Sequence, residues 1–178
     1  MTHALAALAV LIVAASAAPA AAQAVRSIYT EASADTCRET RVSAPDEGAF
    51  ADYRCPGVLG WGVILHEDDS RANITLVAPS RRRHDLNLWQ VVGNGFSSIG
   101  PRAEWRVRGR SGAPHAFIVR YAVTEGGDGQ EPVSYLAVAR LLADGACVTD
   151  RVAPGRRQNE TARALADQRG RACLRVPS

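Results

Sequence analysis

Short apolar runs, and runs in which apolar and polar residues alternate, recur along the chain after residue 25. Gly, Pro, Asn and Asp separate these runs, which is typical of strands joined by turns in an antiparallel β protein. The pattern predicts strands near residues 50–55, 58–65, 72–78, 103–109, 115–124, 133–142 and 146–152.

Two of the predicted strands have faces that can be assigned from alternation. In 115–124 one face carries Phe117, Val119, Tyr121 and Val123, whereas Arg120 lies on the other. We therefore expect one face of this strand to pack in the core and the other to be more exposed to solvent. The run from Val133 to Leu142 is apolar on both sides apart from Ser134 and Arg140, which predicts a central strand covered on both faces. Glycines and a proline at 125–132 predict a hairpin loop between the two strands.

One helix is predicted near the C-terminus. Asn159 is a suitable N-cap, Ala162, Leu165 and Ala166 recur at helical spacing, and Gly170 is a suitable stop. The predicted fold class is therefore α+β: a mainly antiparallel β sheet or partial barrel with one packed C-terminal helix.

The N-terminal residues have the features of a signal peptide. Residues 1–24 contain no acidic residue, Lys or Arg, and they end in Ala22-Gln23-Ala24, a small-x-small pattern that signal peptidase accepts. Cleavage after Ala24 would leave a single β-rich domain over 25–178 in the periplasm or outside the cell. A retained membrane anchor is the alternative, but the apolar stretch is shorter than the roughly 20 residues that span a bilayer.

Four cysteines follow the predicted cleavage point: Cys37, Cys55, Cys147 and Cys173. An even number of cysteines in an exported chain indicates disulfides, and three connectivities are possible. We expect Cys37–Cys55 and Cys147–Cys173, because each pair joins segments that are close in sequence. Each bond would contribute about 3 kcal/mol in the chain-entropy model. A zinc site is the rival, but no two cysteines have the close spacing that zinc sites use, so we predict no metal site and no cofactor.

Charge excludes one class of partner. All 21 residues counted as Lys or Arg are Arg, yet the net charge is only +3. A nucleic-acid-binding domain usually carries a larger basic excess, so we do not expect a nucleic-acid partner.

No motif in the sequence identifies a catalytic residue. The segment 95–100 does not match the G-x-S-x-G nucleophile elbow, because Ile99 stands where the motif has its final glycine. A triad built on His66, His84 or His115 stays open. The run His66-Glu67-Asp68-Asp69 lies between two predicted strands, where a polar turn is expected. Binding of a divalent cation by its oxygen and nitrogen atoms is the alternative.

The best binding candidate is a row of charged residues on the strand 103–109 and just beyond it. Strand alternation places Glu104, Arg106, Arg108 and Arg110 on one face, which we call the arginine row. Trp105 and Val107 then lie on the opposite face. Guanidinium groups in a row could bind carboxylates or phosphates bidentately, whereas the alternative is a solvent-facing strand in an arginine-rich protein.

Several segments together resemble a known family. They are Cys55-Pro56-Gly57, Glu104-Trp105-Arg106, the strand 116–121 and the stretch 159–167 that precedes Cys173. In these segments the chain is similar to a family of small exported, four-cysteine proteins of unknown function from Gram-negative bacteria. The resemblance implies export, a cysteine framework and a bacterial origin, and it implies no activity.

These observations favour a non-catalytic binding or inhibitory module of the bacterial envelope. Its partner would be an envelope protein or an anionic glycan, with no membrane anchor after signal cleavage, and the oligomeric state is not predicted. The alternative is a periplasmic or secreted hydrolase that acts on cell-wall or extracellular polymer through a histidine or carboxylate site.

Overall fold

Two five-stranded antiparallel sheets form the body of the protein. The computed structural model describes residues 24–43, 49–109, 112–125, 129–143 and 145–176. The strands are β1 Val25–Glu31, β2 Arg38–Val42, β3 Phe50–Cys55, β4 Gly62–Asp68, β5 Arg71–Val77, β6 Arg83–Asp85, β7 Phe96–Arg108, β8 Pro114–Thr124, β9 Val133–Leu142 and β10 Gly145–Val152. Among the described residues two helices accompany them, α1 Leu88–Val91 and α2 Gln158–Ala166.

The two sheets use the chain differently. Sheet B has the order β2-β3-β4-β5-β6, so it is a meander built from one continuous stretch of sequence. Sheet A has the order β1-β7-β8-β9-β10, so a second meander is completed by a strand from the start of the chain. The register of that pairing sets Val25 opposite Arg108.

The main core lies between the sheets, because alternate residues of their strands point inward. Trp105 and Phe117 are fully buried there, and their rings meet edge to face with centroids 4.8 Å apart. The inward face of β8 consists of Phe117, Val119, Tyr121 and Val123, as alternation predicts. Edge-to-face aromatic pairs contribute stabilisation beyond that of burying their surface, so this pair stabilises the centre of the core.

A second, smaller core lies between α2 and the outer face of sheet A. Its members are Ala116, Ile118, Leu136, Val138, Val152, Ala162 and Ala166, with Leu165 packed against them. The strand β9 therefore contributes to the inner core on one face and to the helix contact on the other. This confirms the prediction of a strand covered on both faces.

The predicted fold class is confirmed: the chain is β-rich and antiparallel, with one packed C-terminal helix and two disulfides. The strands form two sheets rather than one, and β1, β2 and β6 were missed. The strand predicted over 58–65 begins only at Gly62, because Leu59 and Gly60 have positive φ values of 51° and 87° and form a turn.

The predicted ends of the C-terminal helix are wrong by a few residues. The N-cap is Arg157 rather than Asn159, and it makes no side-chain cap hydrogen bond. The helix stops at Ala166, before Gly170, because the side chain and carbonyl of the C-cap residue Asp167 bind arginines of sheet A. Gly170 has a φ of 76° in the segment that follows.

Both expected disulfides are present, Cys37–Cys55 and Cys147–Cys173. The first joins the turn before β2 to the end of β3. The second ties the segment after α2 to β10, where the amide of Leu174 also donates to the carbonyl of Val148 at 2.8 Å. The chain beyond the helix is thereby held close to sheet A.

Most of the predicted signal peptide lies outside the described residues, which begin at Ala24. Within the described ranges, no helix has the length and apolar character needed to cross a membrane.

The second disulfide generates a stability prediction. Replacing both cysteines, Cys147→Ser with Cys173→Ser, should lower the free energy of unfolding by about 3 kcal/mol, measured by urea denaturation. Hydrogen exchange should speed up in residues 168–176 but not in the inner strands. The matched variant Cys37→Ser with Cys55→Ser should loosen β2 instead, and an unchanged urea midpoint for the first variant would contradict the prediction.

Candidate functional site

The described part of the arginine row lies beneath α2. Glu104 and Arg106 are each only 8% exposed, while Trp105 and Val107 are fully buried on the opposite face. Arg110 lies outside the described residues. The predicted alternation of faces is correct, but the row is not an open strip of guanidinium groups, because the helix covers it.

Arg106 forms the central ion pair of this interface. Its Nε and Nη2 donate to Oδ1 and Oδ2 of Asp167 at 3.1 and 2.5 Å, which makes a bidentate pair. Its Nη1 donates to Oγ of Ser27 at 2.5 Å, and that hydroxyl in turn donates to Glu104. Planar guanidinium and carboxylate groups match in this geometry, so the end of α2 is fixed in position and orientation.

Two further arginines fasten the helix to the sheet. Arg163 on α2 donates from Nε to Oε1 of Glu104 at 2.7 Å. Arg108 donates from Nη2 to the carbonyl oxygen of Asp167 at 2.6 Å. The carbonyls at the end of a helix lack intrahelical partners, so Arg108 acts as a C-terminal cap.

His115 lies beside the same carboxylate. Its Nε2 is 3.1 Å from Oδ1 of Asp167, and its Nδ1 is buried without a hydrogen-bond partner among the described residues. Burial lowers the pKa of His115 and the nearby Arg108 and Arg106 lower it further, against the opposing effect of Asp167. The neutral form is therefore favoured, with its proton on Nε2 and donated to Asp167.

The pKa of Asp167 is also lowered. Burial alone would raise it, but hydrogen bonds from Arg106 and His115 and the charges of these groups outweigh burial. The carboxylate is thus held in its ionised form at the end of the helix.

A cavity of about 190 Å³ opens next to this cluster, between the end of α2 and the outer face of sheet A. We call it the helix-end cavity. Its floor is apolar and includes Val138, Leu165 and Ala166. Its charged lining consists of Arg108, Arg140, Arg169 and Arg171, together with His115.

The positive charge of the helix-end cavity is only partly compensated. Arg171 pairs with Asp150, whose side chain is 10% exposed, whereas Arg140 donates from Nη1 to the carbonyl of Arg171 at 2.9 Å. The Nε of Arg140 is buried and has no acceptor among the described residues. None of the described residues that line the cavity is acidic. The cavity thus presents cationic donors above an apolar floor.

A second polar constellation lies on the outer face of sheet B. Nδ1 of His66 is 2.6 Å from Oδ1 of Asp52, and its Nε2 is 2.9 Å from Oγ1 of Thr75. The register of the strands brings these side chains together, since Asp52 on β3 lies opposite His66. Asn73 on β5 also lies opposite His66, and Thr75 is two residues further along β5 on the same face. Sequence reasoning named His66 but missed its two partners, because only the strand register reveals them.

The remaining candidates lie elsewhere. The run 66–69 ends β4 and enters a tight turn, in which Asp69 and Ser70 have φ values of 45° and 60°. In the described ranges, no three or more His, Cys, Asp or Glu residues are grouped so that they could hold a metal ion. His84 is on β6, with its ring 6.5 Å from that of Trp61.

Comparison of the chain with models of protein families, with curated proteins and with solved structures finds no match. A functional proposal for this protein therefore depends on its own geometry and chemistry.

His115 generates a prediction about pH. The pKa of His115 is lower in the folded protein than in the unfolded chain, so the unfolded chain binds more protons just below about pH 6.5. The free energy of unfolding should therefore decrease as the pH is lowered through this range. His115→Gln can still donate to Asp167 but cannot be protonated. The free energy of unfolding should therefore fall less in this variant than in the wild type between about pH 7.5 and about pH 5.

Urea denaturation at several pH values measures this difference. Equal denaturant slopes of the two proteins at neutral pH would show that the variant is folded in the same way. An identical pH dependence of stability in both proteins would contradict the assignment.

Proposed function

We propose that this chain is an exported binding module of the bacterial envelope and that the helix-end cavity receives an anionic group of its partner. The group would be a carboxylate, phosphate or sulfate carried by an envelope glycan or protein. One observation carries the proposal: several arginines line a cavity that has no acidic residue among its described lining.

The chemistry of the cavity supports an anionic occupant. Arg108 and Arg140 both line it, and each carries a positive charge at neutral pH. An anion would supply a counter-charge to both. Neither arginine has a carboxylate partner among the ion pairs of the described residues.

The size of the cavity limits what can enter. A cavity of roughly 150 Å³ accommodates benzene, so one of about 190 Å³ holds a single ring or one substituted sugar carboxylate rather than a polymer. The apolar floor would contact the body of such a group while the arginines bind its charge. A larger partner would insert one terminal or side group.

Binding of a small probe tests this proposal. Benzoate and inorganic phosphate, titrated into the mature protein and followed by backbone NMR, should shift resonances around Arg140 and at the end of α2. We expect Arg140→Ala to weaken benzoate binding by about tenfold or more, because a charge-assisted hydrogen bond contributes roughly 1.5–3 kcal/mol.

Two variants separate the site from general electrostatics. Arg156→Ala removes an equal charge from the exposed turn before α2 and should leave binding unchanged. Leu165→Trp fills the cavity while it retains every arginine, and it should prevent binding in a protein that still unfolds cooperatively. Equal binding by wild type and Leu165→Trp would contradict the proposal.

The second candidate function is hydrolysis of an ester in a cell-wall or extracellular polymer. The hydrogen-bonded chain Asp52–His66–Thr75 favours it, since an acid orients a histidine that contacts a hydroxyl. With the imidazole proton on Nδ1, Oγ1 of Thr75 would attack an acyl carbon as its proton passes to Nε2. That proton would then pass to the departing alcohol, and water would release the acid. Thr75 is only 7% exposed, so the attack would require access to a nearly buried hydroxyl.

Release of acetate from an acetylated polysaccharide tests this candidate. Loss of the general base in His66→Gln should reduce the rate by about 100-fold or more, and Thr75→Val should abolish it. Thr149→Val is the matched control, because Thr149 is a buried threonine whose hydroxyl bonds only to the Val138 carbonyl in the described structure. Acetate release that survives in Thr75→Val would exclude this mechanism.

A further inference from the structure

The outer face of sheet B carries a groove of about 610 Å³. We call it the sheet-B groove. It runs from Arg41 on β2, past Phe50 and Asp52 on β3 and His66 on β4, to Trp89 on α1. Its volume is within the range of roughly 300–1,000 Å³ that is usual for ligand clefts. The helix-end cavity is on sheet A, so the two are separate features.

Aromatic rings give the groove flat apolar surfaces. Trp89 is 37% exposed and the adjoining Phe96 is 46% exposed. The guanidinium carbon of Arg71 lies 5.7 Å from the ring centroid of Trp89 and 5.6 Å from that of Phe96. Cation–π contacts of this kind favour one orientation of each ring, which lowers the cost of ordering the rings when a ligand binds.

Polar side chains around these rings are also held in position. Asn73 donates from Nδ2 to Oδ1 of Asp85 at 2.6 Å, and its Oδ1 accepts from the amide of Leu88 at 3.0 Å. The imidazole of His66 is held between Asp52 and Thr75. The groove therefore presents both acceptors and donors in fixed directions, beside exposed rings.

The charges of the groove balance, unlike those of the helix-end cavity. Its lining includes the arginines Arg41, Arg71 and Arg83 and the carboxylates Asp52, Glu67 and Asp68. A polyanion would meet three carboxylates and a polycation would meet three guanidinium groups. A neutral ligand rich in hydroxyl groups avoids both repulsions, since a hydroxyl donates to a carboxylate and accepts from an arginine.

We propose that the sheet-B groove binds a neutral saccharide chain. One pyranose ring would place its C–H face on Trp89, and the hydroxyl groups would bond to Asp52, Asn73 and Arg83. A lipid chain would bury the charged lining without hydrogen bonds, at a high free-energy cost, so the groove does not suit it. This inference does not depend on the anion-binding proposal, since none of these residues lines the helix-end cavity.

Tryptophan fluorescence offers a direct test, because Trp61 is 6% exposed and Trp105 is fully buried, which leaves Trp89 as the accessible tryptophan. The probes are the neutral tetrasaccharides of N-acetylglucosamine, cellulose and starch, and the anionic tetrasaccharide of galacturonic acid. We expect at least one neutral probe to shift the emission to shorter wavelength and to protect it from acrylamide quenching. The anionic probe should bind more weakly than that neutral probe.

Calorimetry on variants then assigns the binding to the groove. Trp89→Ala should weaken binding of the neutral probe by about tenfold, whereas Trp89→Phe, which keeps a flat ring, should retain most of the affinity. Leu174→Ala is the matched control, since Leu174 is also 37% exposed but lies in the C-terminal segment. Thermal unfolding of each variant identifies any that fail to fold.

Three results would overturn the proposal. They are no binding of any neutral probe, stronger binding of the anionic probe than of every neutral one, and unchanged affinity in a folded Trp89→Ala variant. Loss of saccharide binding in Trp89→Ala together with unchanged benzoate binding would support two independent sites.

Discussion

The bidentate contact between Arg106 and Asp167 is the interaction on which the outer half of sheet A depends. A helix as short as α2 is marginal by itself in water, so tertiary contacts must hold it. Its apolar face supplies part of that stabilisation, and Asp167 supplies the fixed point at its end. Because the chain turns at that point and returns toward β10, a space remains between the helix end and the sheet. The helix-end cavity is thus a by-product of where the helix is anchored.

The outer faces of the two sheets have opposite electrostatic character. On sheet A, arginines outnumber carboxylates around a cavity with an apolar floor. On sheet B, arginines and carboxylates are equal in number along an open groove that has aromatic rings. The inner core separates the two faces, so each can carry its own chemistry without altering the other's charge. The small net charge of +3 hides this contrast, since it averages over both faces.

Alternation along single strands was enough to predict much of the fold. It identified the core face of β8 and the doubly covered strand β9, because burial there follows the local period of two. The partner of Arg106 could not be found in this way, since Asp167 lies 61 positions away and on another element. The contact of His66 with Asp52 and Thr75 likewise requires the register of three strands. The local sequence pattern predicts on which face of its strand a side chain lies. A site depends in addition on which strands and helices pack together, and the local pattern does not contain that information.

The pairing of β1 with β7 has a consequence for the order of assembly. During synthesis β1 emerges early, but its partner strand, in which Arg108 faces Val25, emerges only after the whole of sheet B. Contacts between such distant segments form slowly, because a long loop must close first. Until β1 docks, the backbone of β7 remains an open edge that another chain could join. Docking of β1 pairs residues 102–108 of β7, after which the seven-residue β1 replaces the thirteen-residue β7 as the edge strand of sheet A, and a shorter edge offers less backbone to another chain.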